Sequence, residues 1–145
     1  MIRQATEHDI DHIIPLAVKF WEIASFNIPF DEESTRYTLE MSLDQALLTV
    51  ADDGKIVGFA CGLMSPCVAN FEYKVAHEIA FWLEKEYRGS GLGQKLVKSL
   101  EDLAREANAT LFNVAALYFA SSDKAEAIYK KHGYIKTETC YTKVL

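Results

Sequence analysis

The chain has 145 residues, half of them hydrophobic, which excludes a disordered chain and predicts one domain over residues 1–145. Its formal net charge of -6 speaks against nucleic acid as a partner, and no apolar run approaches the ~20 residues needed to span a bilayer, so no membrane partner is expected. The three cysteines form no C-x-x-C pair and the N-terminus is charged and polar, which predicts a cytoplasmic protein with reduced thiols.

The first half of the chain reads as a strand, two helices and a β-hairpin. Residues 2–5 predict a short strand, and residues 6–26 show helical spacing of apolar side chains, with Pro15 expected to kink or split the helix. A second helix is predicted over residues 31–43. Strands over 46–51 and 56–64 flank an Asp-Gly turn, and a loop around Pro66 is expected to border a substrate pocket.

Acidic residues are concentrated in this first half. Between Glu7 and Asp44 nine acidic residues face two basic ones, whereas residues 45–145 hold twelve of each sign. Two interpretations stay open: an ordinary solvated helix surface, or a region that attracts a cationic ligand. His8 and His12 lie four residues apart on the first helix, but the neighbouring aspartates lie off their face, so no metal is expected.

The second half alternates strands and helices. A strand over residues 75–83 carries Glu78 among apolar residues, on the same face as Trp82 if the side chains alternate regularly. A helix to about residue 108, a long apolar strand over 110–119 and a helix that ends before Gly133 follow. One or two final strands are predicted over 134–145, and because terminal strands often pair between subunits, a homodimer is an open expectation.

This order of elements predicts the fold class. Strands outnumber helices and surround a single strand-loop-helix-strand unit, so the fold is expected to be mixed α/β (α+β). The central sheet should be mostly antiparallel, with six or seven strands and helices on both faces.

The segment Tyr87–Gln94, YRGSGLGQ, joins the strand over 75–83 to an amphipathic helix. Backbone N–H groups at a helix N-terminus lack intrahelical partners and the helix dipole is positive there, so this segment predicts an anion site. Gln94 and Lys95 do not supply the Gly-Lys-Ser/Thr ending of a P-loop, and the third glycine comes one residue too early for the dinucleotide fingerprint G-x-G-x-x-G. A simple tight connection without a ligand is the other interpretation of the segment.

Two sequence blocks carry a resemblance to a known family. Arg88, Gly91 and Gly93 form R-x-x-G-x-G, which resembles the acyl-CoA motif of the GNAT (GCN5-related N-acetyltransferase) superfamily. About forty residues later, the segment from Ala125 to Tyr134 resembles the family's A-x-x-L-Y-x-x-x-G-F pattern. The order and spacing of the elements extend the resemblance over essentially the whole chain.

The resemblance implies acetyl-CoA as acyl donor and no metal. The family's pyrophosphate-binding backbone and nearby CoA contacts correspond to Arg88, Gly89, Ser90, Gly91, Leu92, Gly93, Ser122 and Lys124. Pantetheine would lie in a gap beside the strand that carries Leu83, whose backbone N–H would polarise the thioester carbonyl. Tyr129 matches the tyrosine that protonates the leaving thiolate, and Glu78 resembles the glutamate base of the histone-acetylating branch.

The implied function is direct transfer of an acetyl group from acetyl-CoA to a primary amine, on a small molecule or a protein. An ordinary glutamate and a lysine-like amine differ by ~6 pKa units, or ~8 kcal/mol, so Glu78 can act as base only if burial narrows that gap or water relays the proton. Purely structural roles stay open, with Glu78 at a solvent-exposed strand end and Tyr129 as a core aromatic. A non-catalytic CoA-binding or regulatory module of the same fold is the alternative function, and a nucleotide-binding domain is a third.

Overall fold

Five strands form one sheet, and their order across the sheet is their order along the chain. The structure is a computed structural model that describes residues 1–24, 26–117 and 122–145. The strands are β1 (Ile2–Gln4), β2 (Leu48–Asp52), β3 (Ile56–Cys67), β4 (Asn70–Leu83) and β5 (Leu111–Asn113). The α-helices are α1 (Ile10–Ala24), α2 (Glu32–Asp44), α3 (Leu92–Glu106) and α4 (Ser122–Lys131), and none of those in the described ranges could cross a bilayer.

The predicted mixed, mostly antiparallel sheet is confirmed. β1 to β4 pair antiparallel in sequence order, and only β5 lies parallel to its neighbour β4. The described residues form five strands rather than six or seven, because the final strands predicted over 134–145 are wrong. Thr137, Thr139 and Tyr141 alternate as in a strand, but the segment has no strand beside it and Ile135 is 83% exposed. The homodimer expected from these strands therefore stays a prediction without that support.

The β3–β4 connection also differs from the sequence prediction. β3 continues through Pro66 to Cys67 and β4 already begins at Asn70, so the expected loop is a tight hairpin. Likewise, α1 runs through Pro15 without a break. β5 covers Leu111–Asn113 instead of the predicted residues 110–119, of which 118 and 119 lie outside the described residues.

Helices pack on both faces of the sheet. On one face, α1 and α2 cover a core that contains Ile13, Leu39, Phe59 and Trp82. On the other, α3 packs through Leu96 and Leu100. Burial of this amphipathic stripe of α3, which the sequence predicts, places the helix N-terminus and its glycine loop at the end of β4.

A β-bulge interrupts β4 in the middle of the sheet. Cys61 pairs with Ala80 but the next β3 residue, Gly62, pairs with Glu78, so Ile79 is the extra residue. The regular alternation predicted for this strand is wrong across the bulge. Ala80 packs toward α1, as alternation requires, whereas Ala76, which should share its face, packs toward α3.

A charged network fixes the start of the chain to the sheet. The Arg3 guanidinium donates to both Asp9 carboxylate oxygens at 2.8 Å and to Asp52 Oδ2 at 2.9 Å. Asp9 also accepts from the Thr6 N–H at 2.8 Å, which forms a capping box at the start of the first helical turn. The bonds from Arg3 hold the pKa of the buried Asp9 carboxyl well below its usual range.

Replacing Asp9 with Asn should lower the free energy of unfolding by about 2–3 kcal/mol at pH 7. The neutral amide has one oxygen and no charge, so it cannot accept both hydrogen bonds from the Arg3 guanidinium. A depressed pKa stabilises the fold above the unfolded value of 3.8, so the difference from wild type should narrow as the pH falls below that value. Urea unfolding at several pH values measures both effects. The exposed Asp44→Asn variant is the control, and an equal loss in both variants would contradict the prediction.

Candidate active site

The edge of β4 that faces β5 is only half covered. The parallel pairing of β4 and β5 begins at Val75 and Leu111 and ends at His77 and Asn113, while β4 continues to Leu83. No described strand lies beside residues 78–83 on that edge. We call this opening the β4 gap. It begins at Glu78, the residue before the extra residue of the bulge, Ile79.

The backbone N–H of Leu83 points into the β4 gap. The next residue, Glu84, donates its N–H to Val57 on β3 at 2.9 Å. Because N–H directions alternate along a strand, the Leu83 N–H points away from β3. The Leu83 carbonyl on the same edge accepts from Arg88 Nε at 2.8 Å, so the strand end and the glycine loop are directly connected.

The glycine loop has a backbone that only glycine adopts readily. Gly89 and Gly91 have φ values of +83° and +84°, and a Cβ at either position would meet no atom within 4 Å, so conformation rather than space requires glycine there. Lys95 is the first residue to donate its N–H back into the helix, to Gly91 at 3.2 Å. The N–H groups of Gly93 and Gln94 therefore point out of the helix end without a partner among the described residues.

Ser90 and Arg88 complete the loop. The Ser90 hydroxyl donates to the Tyr87 carbonyl at 2.6 Å and accepts the Leu92 N–H at 3.3 Å, which ties the loop together. The Arg88 guanidinium carbon lies 4.8 Å from the centre of the Trp82 ring, which holds a permanent cation at the end of β4. The loop thus combines free N–H donors, a helix dipole and a fixed positive charge.

Glu78 lies at the start of the gap, next to the bulge. The residue is partly exposed, but its Oε2 atom is buried and has no hydrogen-bond partner within the described ranges. Burial raises the pKa of this carboxyl to about 8. The sequence showed that Glu78 could act as a base only if burial raised its pKa. The structure meets this condition, because a carboxyl with a pKa of about 8 is far more basic than an ordinary glutamate.

Tyr129 lies on α4 and faces the same opening. Its hydroxyl donates to the carbonyl of Ala115 at 3.1 Å, two residues beyond the last paired residue of β5. Burial, and secondly the negative charge of Glu78, raise the pKa of the phenol above its usual value. The phenol is therefore protonated at neutral pH and carries a proton that it can donate.

The C-terminus of α4 holds Tyr129 in place. Gly133 has φ +85° and donates to Lys130 at 3.1 Å, while the Tyr134 N–H donates to the Tyr129 carbonyl at 3.0 Å, which is a Schellman motif. The Tyr134 ring lies 5.6 Å from the Tyr129 ring, and its hydroxyl donates to Glu101 on α3 at 2.8 Å. Gly133 can be recognised as the helix cap from the sequence, whereas the contact between Tyr134 and Glu101 cannot, because it depends on how α3 and α4 pack.

Two further predicted CoA contacts lie at the other end of α4. Ser122 is its first residue, but the Ser122 side chain lies outside the described parts of the chain. Lys124 is exposed in the first turn. Within the described residues no group of three or more His, Cys, Asp or Glu side chains lies close enough to hold a metal ion.

These elements converge on one opening. The glycine loop and Leu83 lie at the far end of the gap, Glu78 lies at its beginning, and the Tyr129 hydroxyl reaches Ala115 across from them. The arrangement offers an anion site, an extended slot with unpaired backbone groups, one group able to accept a proton and one able to donate it. Those are the components that acyl transfer from a phosphate-bearing thioester requires.

The sequence and the fold resemble those of known acetyltransferases. Residues 15–134 match the acetyltransferase (GNAT) family. A candidate ribosomal protein bS18-alanine N-acetyltransferase of Bacillus subtilis (strain 168) is 27% identical over 132 residues, which cover 91% of this chain and 78% of that protein. A crystal structure of a probable acetyltransferase superposes with a TM-score of 0.76 at 22% identity, covering 100% of this chain and 97% of the other. A predicted acetyltransferase of Clostridium acetobutylicum, solved with acetyl-CoA, gives a TM-score of 0.75 at 17% identity, covering 99% and 95% of the two chains.

The chain belongs to the acetyltransferase (GNAT) family. It is an N-acetyltransferase that takes its acetyl group from acetyl-CoA. The family, the acetyl donor and the reaction predicted from the two sequence blocks are thereby confirmed.

The raised pKa of Glu78 has a cost in stability that can be measured. A group whose folded pKa lies above its unfolded value of 4.5 loses stability as the pH rises from 4.5 to about 8. The Glu78→Gln variant cannot ionise, so its free energy of unfolding should gain about 4 kcal/mol relative to wild type over that interval. Chemical denaturation across this pH range is the measurement. A flat difference, equal to that of the exposed Glu40→Gln control, would show that Glu78 titrates normally.

Proposed function

We propose that the β4 gap holds the pantetheine and thioester of acetyl-CoA, and that Glu78 and Tyr129 move the two protons of direct acetyl transfer to a primary amine. The observation that carries this proposal is the early end of β4–β5 pairing at His77, with a basic carboxyl and a protonated phenol on the opening. A strand with one free edge accepts an extended ligand as it accepts another strand.

The glycine loop is proposed to bind the pyrophosphate of the donor. The free N–H groups of Gly93 and Gln94 at the start of α3 supply hydrogen bonds, and Arg88 supplies positive charge. With the diphosphate fixed there, the donor chain runs along β4 toward Glu78. The Leu83 N–H then lies on the edge where a thioester carbonyl oxygen would gain negative charge, and it is proposed as the oxyanion donor. Ser122 and Lys124, at the start of α4, are proposed as further contacts to the CoA.

Glu78 is proposed as the base. The amine nitrogen attacks the thioester carbonyl carbon, a C–N bond forms, and the proton lost by nitrogen goes to the Glu78 carboxylate. With a pKa of about 8, Glu78 lies about 2 units below a lysine-like amine of pKa ~10.4, so the proton transfer costs ~3 kcal/mol instead of ~8. Burial thus moves the base into the range where general base catalysis is effective at neutral pH.

Tyr129 is proposed as the acid. When the tetrahedral intermediate collapses, the C–S bond breaks and the sulfur of CoA takes the phenolic proton. The negative charge of Glu78 is one of the causes of the raised pKa of Tyr129. Once Glu78 has accepted the proton of the amine this charge is neutralised, so Tyr129 becomes a stronger acid at the step that needs its proton.

The proposed acceptor is a primary amine, and the acidic first half of the chain supports an acceptor with positive charge. The name of the Bacillus subtilis relative points to the α-amine of an alanine in a ribosomal protein as one such acceptor. We also propose that the protein acts in the cytoplasm, which agrees with its three free cysteines. A homodimer is retained as a proposal for size measurements in solution.

Replacing Gly91 with Ala should weaken acetyl-CoA binding about five- to tenfold. An Ala at φ +84° costs ~1–2 kcal/mol, and the loop can relieve this strain only by turning its N–H groups away from the diphosphate. Isothermal calorimetry with acetyl-CoA measures the affinity. Gly54→Ala is the matched control for backbone strain, because Gly54 has φ +76° in the β2–β3 hairpin. Among the described residues, the one hydrogen bond between this hairpin turn and the loop segment runs from the Tyr87 hydroxyl to Asp53.

Wild-type protein should bind acetyl-CoA in the same experiment. Absence of binding at ~0.1 mM acetyl-CoA would overturn the donor site altogether. Equal affinities in the Gly91→Ala and Gly54→Ala variants would locate the diphosphate elsewhere.

Replacing Tyr129 with Phe should lower kcat about a hundredfold or more while acetyl-CoA affinity stays within twofold, since general acid catalysis contributes ~10²–10⁴. In wild type, kcat/KM should rise with pH up to about 8, because Glu78 must be ionised to accept a proton, and this limb should vanish in Glu78→Gln. Release of free thiol in the presence of amines measures both. Binding of acetyl-CoA without turnover, unchanged by either substitution, would instead support a non-catalytic CoA-binding or regulatory module.

A further inference from the structure

Leu83 turns two backbone groups toward the β4 gap, its N–H and its carbonyl. The two groups of one strand residue point to the same edge, and the partner of Leu83 on β3, Gly58, lies along the other edge. A thioester oxygen that accepts the Leu83 N–H therefore lies beside the Leu83 carbonyl oxygen. As negative charge grows on the thioester oxygen, the lone pairs of that carbonyl repel it. An oxyanion site at this position needs a donor that covers the carbonyl.

Arg88 covers this carbonyl. Its Nε–H donates to the Leu83 carbonyl oxygen at 2.8 Å, which places a positive charge on the group that would otherwise oppose the oxyanion. The bond leaves the Leu83 N–H open to a ligand. The two terminal nitrogens of Arg88 have no hydrogen-bond acceptor within the described parts of the chain, so they remain available to a diphosphate at the glycine loop.

Two neighbouring side chains fix the place of the Arg88 guanidinium. Its carbon lies 4.8 Å from the centre of the Trp82 ring, and Trp82 is buried in the core under α1 and α2. Trp82 Nε1 donates to Glu84 Oε2 at 3.4 Å, and Glu84 forms an ion pair with Lys19 on α1. The hydrogen bond from Lys19, and to a smaller extent the charge of Arg88, lower the pKa of the Glu84 carboxyl. Glu84 is therefore ionised at neutral pH and attracts the guanidinium.

The chemistry of the contact requires an arginine. β4 ends at Leu83, and the short helical turn Lys85–Tyr87 leads from there to Arg88, so the Nε bond ties the start of the glycine loop back to the strand end. A guanidinium can donate through its inner nitrogen, lie flat on an aromatic ring and still offer its outer nitrogens to a phosphate. A lysine keeps the charge but has neither the inner donor nor the plane.

We propose that Arg88 is a positioning residue for the transfer step, in addition to its proposed contact with the diphosphate. Its bond to the Leu83 carbonyl holds the end of β4 so that the Leu83 N–H meets the thioester oxygen without opposition from the carbonyl. Glu84 acts through Arg88. This inference rests on the proposed function of the β4 gap. It gives Arg88 a task in the transition state, whereas a residue that only binds the donor stabilises substrate and transition state alike.

The Arg88→Lys variant tests the bond, because it keeps the charge and loses the Nε donor. At saturating acetyl-CoA, kcat should fall about ten- to hundredfold, as expected when an oxyanion donor is misplaced. The acetyl-CoA affinity measured by calorimetry should stay within about threefold of wild type. Thiol release measures kcat, with a hexapeptide that has an N-terminal alanine and with butylamine as acceptor probes. Lys85→Gln, which removes an exposed positive charge from the same segment, is the matched control and should leave all values unchanged.

A second donor removes phosphate binding from the comparison. S-acetylpantetheine is a thioester without a diphosphate, and its kcat/KM should fall in Arg88→Lys by the same factor as kcat with acetyl-CoA. Glu84→Gln should lower kcat about two- to fivefold in the wild-type background. In the Arg88→Lys background it should have no further effect, because its contribution passes through Arg88.

All rates are compared at a temperature at which circular dichroism shows each variant to be fully folded. A wild-type kcat in Arg88→Lys, or a loss of activity that a loss of acetyl-CoA affinity fully explains, would overturn the inference and leave the proposed function intact. An unchanged rate with S-acetylpantetheine would do the same, since Arg88 would then serve the diphosphate alone. A wild type that binds acetyl-CoA but releases thiol with neither probe, nor with any of a panel of primary amines, would overturn both.

Discussion

The site depends on one constraint: backbone hydrogen-bonding groups of a strand must find a partner, and β4 loses its neighbour on one side after His77. β3 continues to pair with β4 up to Leu83, so the strand stays rigid while its other edge is open. The bulge at Ile79 supplies the extra residue that re-aims the backbone at this point. The proposed donor slot, the proposed oxyanion donor and the proposed base therefore all belong to one strand, which sets the spacing between them.

The same geometry sets the chemistry of Glu78. A carboxyl oxygen buried without a partner is unfavourable for the folded chain, and it is the reason that the pKa rises to about 8. The network of Arg3, Asp9 and Asp52 shows the contrasting solution, in which a buried carboxylate is fully paired and its pKa falls. One fold thus contains a paired carboxylate that stabilises it and an unpaired, buried carboxyl whose raised pKa suits the base that we propose.

The sequence predicted the features that depend on residues close together along the chain. The glycines of the loop, the helix stripe of α3 and the Gly133 cap could be recognised from the sequence, because each depends on residues within one or two turns. The bulge could not be recognised, since the alternation of apolar residues gives no sign of an inserted Ile79. Because of the bulge, β4 residues that precede it, such as Ala76, face the opposite side of the sheet from the one predicted. Residues 134–145 have strand-like alternation, but a strand also needs a neighbour, and this depends on the whole sheet. The hydrogen bonds of His77 with Ser65 and Asn113, and that of Tyr134 with Glu101, join side chains 12 to 36 residues apart, which no spacing rule anticipates.

The bulge depends on the absence of a side chain at Gly62. A Cβ on Gly62 would lie 2.8 Å from the carbonyl oxygen of His77, so the two strands can approach at this point only because β3 carries a bare backbone there. A single methyl group would push His77 and the following residues sideways, and with them Glu78 at the start of the β4 gap. Because the proposed donor slot and the proposed base both belong to this part of β4, a substitution at Gly62 should change acetyl-CoA binding and proton transfer at once.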